Sequence, residues 1–292
     1  MEIRWIAAEN IDKNKWNGCV HYAGNGNIFG YKWYLDSVAK EWDALIENDY
    51  ESVFPLIYRP MWGKHRELYQ PSLLRESGIY SVNVLSPKRV QAFLGAIPEE
   101  YRRIDIALNE QHPAAPEAYE TSTHTNYQLW LQDPYDTISE RFSKDLQALL
   151  SSAAAQAWQV IANIKPEQIA ALYRKQRPFK DGEFRFHALH RIMYNALHRG
   201  WGFGSGVQDK NGHLMAANFW LYSHGKVVSL SPAAVDPAAQ ALLFDALIQS
   251  HAGRPLLLDF NVAPGEDWPA GFGAAPNPYF RLQKDKRWLG IL

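Results

Sequence analysis

The sequence has one cysteine, Cys19, so no disulfide can form within the chain and we expect a reducing, cytoplasmic environment. The sequence also lacks an excess of charge of either sign. Lysine and arginine number 30 and aspartate and glutamate 31, for a formal net charge of −1 at pH 7. This balance argues against a DNA-binding protein. No apolar run approaches the ~18–20 residues of a membrane span, and the first residues do not resemble a signal peptide.

Aromatic residues are plentiful, with 11 Trp and 15 Tyr, and they predict aromatic-lined cores or clefts. At 292 residues the chain is long enough for two domains. Cys19 has no histidine nearby in sequence, so we interpret it as a small structural residue and not a nucleophile.

The segment 212–262 predicts strand, tight turn, strand, helix, strand. Gly225 suits a hairpin turn, Asp236 is placed to cap a helix whose first residue is Pro237, and the run 256–258 is apolar throughout, as in a strand covered on both faces. Such a strand–helix–strand unit makes a right-handed crossover between parallel strands. The pattern predicts an α/β fold with mixed sheets.

The first half predicts a similar order: a hairpin over 42–59, a helix from Pro87 and a strand over 103–108. Between the halves, the proline-containing segment 111–120 is the predicted linker. We therefore predict two lobes, residues 1–120 and 121–292, with the last strand as a candidate to return to the first lobe.

In the second half, Asp133-Pro134 predicts the start of one long helix reaching about Ala155.

Several weak signatures, in order, resemble the Fem-type family of aminoacyl transferases, which carry two GNAT acyltransferase lobes and extend peptidoglycan cross-bridges. They are Phe29–Val38 (FGYKWYLDSV), Val53–Pro60 (VFPLIYRP), Tyr127–Leu146, Leu230–Val262 and Gly271–Leu282 (GFGAAPNPYFRL). The resemblance implies tandem GNAT-like lobes, a cleft between them, and transfer of an acyl or aminoacyl group to the amine of a small molecule or peptide. It implies acyl-CoA or aminoacyl-tRNA as the donor.

The sequence departs from the family at two places. Pro269 stands where the family has a lysine before its closing Phe-Gly, and the segment 143–152 is nearly uncharged where the family is basic. In addition, the turn Pro232–Pro237 has no glycine, and Asp236 puts a carboxylate where the pyrophosphate of a CoA donor would bind a helix N-terminus. These departures argue against the peptidoglycan reaction and against standard CoA binding.

Three residues are candidate catalytic groups. Asp259 ends an apolar strand and would be either a general base or a structural acceptor for the amides of the next turn. Tyr222 and Ser231, near the hairpin ends, are candidate proton donors, with cross-strand packing as the alternative. Backbone amides at the end of the strand 227–231 are expected to hold the oxyanion.

The predicted helix 183–198 carries candidate substrate-binding residues. Arg191 and Tyr194 would hold an acidic acceptor beside His187, or they form part of a polar helix face. His187 and His190 lack the carboxylate of an HExxH motif, so no metal site is predicted. The resemblance to the Fem-type family adds Phe272, in the closing Phe-Gly pair, as a further candidate substrate-binding residue. The glycines at 202, 204 and 206 could indicate a phosphate-binding loop or a strand that another backbone approaches closely. Their place at the start of a strand favours the second interpretation.

The sequence thus predicts an acyl- or aminoacyl-transferase that acts in an interlobe cleft. The alternative is a non-catalytic descendant that binds a ligand or partner there, since fold alone does not confer activity. Nucleic-acid binding has one local candidate, a basic stripe at Lys284, Lys286 and Arg287, which we interpret as a solvated tail.

Overall fold

The computed structural model describes residues 1–109, 112, 118–176 and 182–285. The chain forms two compact units, the first made of Met1–Thr125 with Pro278–Leu292 and the second of Asn126–Asn277. Among the described residues, none of the helices combines the length and apolar character needed to cross a membrane.

The described residues contain both strands and helices along the whole chain. The strands are β1 Ile3–Ala7, β2 Glu41–Glu47, β3 Ser52–Pro60, β4 Arg66–Tyr69, β5 Tyr80–Ser81, β6 Tyr101–Ala107, β7 Glu120–Trp130, β8 Gln159–Ala162, β9 Gly202–Gln208, β10 Leu214–Ser223, β11 Lys226–Ser229, β12 Ala233–Ala234, β13 Leu257–Asp259 and β14 Ala275–Asp285. The α-helices are α1 Lys13–Tyr22, α2 Lys32–Val38, α3 Pro87–Gly95, α4 Tyr135–Ser139, α5 Lys144–Ala155, α6 Pro166–Gln176, α7 Gly182–Arg199 and α8 Pro237–His251.

The first unit contains a mixed sheet. Its strands follow the order β1-β2-β3-β4-β6-β14, and β5 pairs with β3. The β2–β3 pair is an antiparallel hairpin, β4 and β6 are parallel, and α3 lies between them in the chain. The predicted order of hairpin, helix and strand is confirmed.

The second unit repeats this arrangement around α8. Its strands follow the order β7-β13-β11-β10-β9-β8, and β12 pairs with β10. β10 and β11 form the predicted antiparallel hairpin, and β11 and β13 are adjacent and parallel. The predicted parallel pairing of the strands on either side of α8 is confirmed, and the two units together give the predicted α/β class.

Local sequence accounts for the elements around α8. His224 and Gly225 both have positive φ, of 50° and 69°, as a tight two-residue hairpin turn requires. The side chain of Asp236 accepts the Ala238 amide at 2.7 Å, and Pro237 occupies the first turn, so both predicted start signals of α8 are confirmed.

The core of the second unit is rich in aromatic rings. Phe244 of α8 packs edge-on against Trp220 of β10 at 5.0 Å between centroids and lies parallel to Phe260 at 5.4 Å. Trp268 and Phe272 close the cluster, 4.9 Å and 6.2 Å from Phe244. These rings bury the face of the sheet that α8 covers, and they explain part of the aromatic content of the sequence.

The glycines of β9 are explained by close packing. A Cβ on Gly204 would lie 2.7 Å from the carbonyl oxygen of Ile164, and one on Gly202 would lie 2.5 Å from the carbonyl oxygen of Trp220. The interpretation of these glycines as a strand with close backbone approach is confirmed.

One prediction of a long element was wrong. The helix expected from Asp133 to Ala155 is two helices, because Ser143 caps α5 through Leu146 and turns its own amide to the carbonyl of Gly271, at 2.8 Å. The side chain and the backbone amide of Ser143 thus begin a new helix at a point where the hydrophobic periodicity predicted that the first helix continues.

Two predictions concern regions that are only partly described. Most of the predicted linker 111–120, and Lys286 and Arg287 of the basic stripe, lie outside the described residues. Lys284 is in β14 and not in a solvated tail, with its ammonium 5.0 Å from the ring centroid of Tyr119.

Candidate functional site

The strands β11 and β13 part next to α8. Their parallel pairing covers Lys226–Val228 against Leu257–Asp259 and then ends. Beyond it, the amide of Leu230 donates to the carbonyl of Phe219 on β10, whereas the amide of Phe260 donates to the carbonyl of Tyr127 on β7. Beyond the paired region, the backbone of each strand is therefore bonded to its outer neighbour.

The amides expected to hold an oxyanion are already engaged. The amide of Leu230 is bonded to β10, and that of Ser231 donates to Oδ1 of Asn218 at 3.0 Å. Further along, Ala233–Ala234 pair with β10 as β12, and the amide of Val235 donates to the carbonyl of Met215 at 2.8 Å. The prediction of an oxyanion hole at these amides was wrong, because β10 takes up the donors that the parting of the strands releases.

Asp259 is a buried acceptor, 1% exposed. Its Oδ1 accepts from Nδ2 of Asn126 and from the amide of Asn261, both at 2.9 Å, and its Oδ2 accepts from Nε2 of Gln128 at 3.3 Å. Asn261 also bridges to the carbonyl of Ser229 on β11, at 2.8 Å. These contacts match the structural alternative for Asp259, which ties β7, β11 and β13 together.

The structure does not bring Tyr222 and Asp259 together. Residues directly opposite one another in neighbouring strands point to the same face of a sheet. Asp259 pairs with Val228, and Val228 with Leu221, so Tyr222 points to the opposite face. There its hydroxyl contacts His251 of α8. The two residues cannot act on one substrate atom as a base and an acid.

Ser231 differs from both. It is 1% exposed, and its Oγ has no hydrogen-bond partner within the described part of the chain. The hydroxyl of Ser231 therefore forms no hydrogen bond with Tyr222 or Asp259.

The candidates on α7 lie on its exposed side. His187 is 3.7 Å from Glu183, one turn earlier, and the guanidinium of Arg191 lies 5.4 Å from the ring centroid of Phe184. The hydroxyl of Tyr194 donates to Glu167 of α6, which raises the pKa of the tyrosine. These contacts match the alternative of a polar helix face.

A pocket of about 700 Å³ opens at the amino end of α8, and we call it the α8 pocket. It lies between α8, the start of α5 and a 3-10 helix, Trp268–Phe272. Phe272 is the one predicted site residue among those that line it. The others are Ser143, Asp145, Leu146, Leu149, Ala234, Val235, Asp236, Pro237, Gln240, Ala241, Asp267, Trp268, Ala270 and Gly271.

The polar lining of the α8 pocket is acidic. Asp145, Asp236 and Asp267 line it, and no lysine, arginine or histidine does so among the described residues. Sequence reasoning identified Asp236 but missed Asp145, Asp267 and Trp268. Asp267, before the Phe-Gly motif, was a usable signal, because an aspartate is rarely buried unless it is paired.

Comparison with solved structures identifies the fold. The crystal structure of FemX matches 96% of this chain and 97% of its own, with a TM-score of 0.60 and 10% identity. L-PGS from Bacillus licheniformis matches 95% of this chain and 92% of its own, with a TM-score of 0.55 and 11% identity. The chain has a Fem-like GNAT fold. At these identities the likeness shows the fold alone.

A third solved structure agrees. The C-terminal domain of a putative lysylphosphatidylglycerol synthetase from Agrobacterium fabrum matches 94% of this chain and 91% of its own, with a TM-score of 0.53 and 10% identity. No protein-family model matches the sequence. No curated protein matches it either.

Within the Fem-like GNAT fold, α8 is the helix that follows the central hairpin. A GNAT enzyme that uses CoA binds its pyrophosphate at this helix N-terminus through free backbone amides. Here the preceding turn pairs with β10, Pro237 has no N–H, and the Ala238 amide is donated to Asp236. The site therefore does not fit a CoA pyrophosphate.

Pro269, which stands in place of the family's lysine, is buried in the 3-10 helix that borders the α8 pocket. A proline here supplies neither a charge nor an N–H, so this position offers no ligand to a phosphate. Pro269 and the glycine-free turn Pro232–Pro237 thus belong to two different segments that border the α8 pocket.

Proposed function

We propose that the protein is an acyl- or aminoacyl-transferase that acts on an amine beside the α8 pocket. The observation that carries this proposal is the place of the pocket. It opens at the amino end of α8, the helix that connects the parallel strands β11 and β13, in a chain with a Fem-like GNAT fold. Its volume of about 700 Å³ is in the range of small-molecule sites.

The proposed reaction is direct attack. The acceptor ammonium first releases one proton to solvent. The neutral amine nitrogen then attacks the carbonyl carbon of the donor, a C–N bond forms, and the C–S bond of a thioester or the C–O bond of an aminoacyl ester breaks. The proton lost by the amine passes to the leaving thiolate or alkoxide. Holding both reactants in one site supplies much of the rate, since well-oriented reactions gain large effective concentrations.

The experiment is a transfer assay with each donor class. The protein is incubated with a panel of primary amines and with acetyl-CoA, a long-chain acyl-CoA or aminoacyl-tRNA, and products are detected by mass spectrometry. We expect an acylated amine with at least one donor, and more product from aminoacyl-tRNA than from acyl-CoA, because the α8 amino end has few free amides to bind a pyrophosphate.

A matched pair of variants places the reaction. Ala270 and Ala263 are both exposed, but only Ala270 lines the α8 pocket. Ala270→Trp is expected to fill the pocket and abolish transfer, whereas Ala263→Trp retains it. Equal transfer by both variants would contradict the placement.

A non-catalytic ligand-binding protein is the second candidate. The engagement of the Leu230 and Ser231 amides favours it, because these donors are not available to stabilise an oxyanion. This candidate predicts that an amine binds to the pocket while no donor gives a product, and that Ala270→Trp abolishes binding alone.

A further inference from the structure

We propose that the α8 pocket binds the acceptor as an organic cation, a primary ammonium carried on an apolar body, and excludes ligands that present a phosphate. The acceptor role rests on the proposed function, whereas the preference for a cation rests on the pocket alone. The inference is opposite to the phosphate chemistry that this position serves in CoA-dependent GNAT enzymes.

The fixed charges of the lining favour a cation. Asp145, Asp236 and Asp267 are acidic side chains, and no basic side chain lines the pocket among the described residues. Two helix N-termini, those of α5 and α8, also face it. Each contributes about half a positive charge. The carboxylates outweigh the helix ends, so the lining is negative.

The amides that would bind an anion are reduced in number at both helix ends. At α8, Pro237 has no N–H and the amide of Ala238 is donated to Asp236. At α5, the amide of Leu146 is donated to Oγ of Ser143, at 3.2 Å. An incoming phosphate would therefore be repelled by the carboxylates, and the amides of Ala238 and Leu146 would not be available to bind it.

The rest of the lining fits an apolar body. Leu146, Leu149, Val235 and Phe272 line the pocket beside Trp268. The indole of Trp268 is held edge-on against Phe244 and Phe260, at 4.9 Å and 5.5 Å, so its orientation is fixed by packing. Tryptophan is the best aromatic partner for a cation, so the wall formed by Trp268 can contact both the ammonium and the apolar body of such a ligand.

The charge preference is tested by titration calorimetry with three ligands of nearly the same shape: 2-phenylethylamine, 2-phenylethanol and 3-phenylpropionate. Inorganic pyrophosphate is the fourth probe. We expect the ammonium to bind at least about tenfold more tightly than the alcohol, and neither anion to bind. Binding of the ammonium should weaken with added salt.

Two variants assign the binding to the pocket. Asp236→Asn removes a charge but keeps the helix cap, because asparagine caps as well as aspartate. It should weaken ammonium binding by about tenfold and leave the alcohol unaffected. Asp136→Asn is the matched control, since Asp136 is an exposed carboxylate in the first turn of α4 and does not line the pocket.

Equal binding of amine and alcohol, or tight binding of pyrophosphate that survives in Asp236→Asn, overturns the inference. Its failure is distinguishable from that of the proposed function. If the ammonium binds in the pocket but no donor acylates it, the transferase proposal fails and the cation site stands. If amines are acylated with unchanged KM in Asp236→Asn, the transferase proposal stands and the cation site is wrong.

Discussion

The hydroxyl of Tyr222 lies 2.5 Å from Nε2 of His251, and Nδ1 of the same imidazole lies 2.9 Å from the carbonyl oxygen of Leu247. The carbonyl can only accept, and Oγ of Ser250, 2.8 Å from Nδ1, donates its own proton to the same carbonyl. Nδ1 is therefore assigned the proton, and Nε2 accepts from Tyr222. The ring of Phe203 lies nearly parallel to the imidazole at 6.3 Å. The pair therefore holds His251 as a neutral residue that joins α8 to the end of β10.

This geometry predicts how stability depends on pH. Burial, followed by the charge of Arg254, lowers the pKa of His251, although the bond with Leu247 opposes the shift. The folded state then binds fewer protons than the unfolded state below about pH 6.5. The stability contributed by the neutral imidazole is present above that pH and is lost as the pH falls toward the lowered pKa.

Tyr222→Phe tests this prediction. The variant removes the donor that favours neutral His251, so the pKa of the histidine should rise toward its usual value. We expect a loss of about 1 kcal/mol in the free energy of unfolding near pH 7. The further loss between about pH 7 and pH 5 should be smaller than in the unmodified protein. Urea unfolding at several pH values measures both, and parallel pH curves for the two proteins would contradict the prediction.

Asp259→Ala is expected to destabilise the protein. It leaves the side chains of Asn126 and Gln128 and the amide of Asn261 without their acceptor, at a cost of about 2–4 kcal/mol. Ser231→Ala is the matched comparison, because its buried hydroxyl has no partner in the described part of the chain, and removal should cost about nothing. Denaturant midpoints of both variants check this. A stable Asp259→Ala protein that has lost transfer activity would instead support a role as a base.

Gly204→Ala should lower the free energy of unfolding by about 2 kcal/mol or more, because the new Cβ meets the carbonyl oxygen of Ile164 and the side chain of Ile169 at 2.7 Å. Gly18→Ala provides the opposite case. It lies inside α1 with open space around its Cα, so alanine should stabilise the protein by roughly 0.5–1 kcal/mol. Thermal or chemical unfolding distinguishes the two, and similar effects at both positions would show that β9 can move aside.

Cys19 is expected to be unreactive in the folded protein. It is 4% exposed, and burial raises the pKa of its thiol to about 12, so very little thiolate is present near pH 8. A thiol-specific chromogenic reagent should detect no thiol in the native protein and one after denaturation. Fast labelling without unfolding would show that the thiol reaches solvent.

Much of the fold could be predicted because its signals are local. The turn before β11 needs positive φ and has Gly225, and the start of α8 needs a cap and a tolerated proline and has Asp236 and Pro237. Such signals depend on a residue and its immediate neighbours, so they are readable without knowing what packs nearby. The break before α5 was missed because part of its cause, the carbonyl of Gly271, is distant in sequence.

The candidate site was predicted less well, for the same reason. Asp259, Tyr222 and Ser231 have suitable chemistry, but strand register sets Tyr222 and Asp259 on opposite faces, and β10 takes the amides near Ser231. The α8 pocket is formed by residues from three separate segments. Of these residues, only Phe272 was predicted as a site residue, and Asp236 was predicted as a helix cap.

The sequence by itself determined the two hairpin–helix–strand units and the capped amino end of α8, because propensity, turn chemistry and capping act over a few residues. Only the tertiary structure decided which side chains meet and which charges share a pocket. Pairing register and long-range packing place Asp145, Asp236 and Asp267 around one cavity, and no spacing along the chain encodes that meeting.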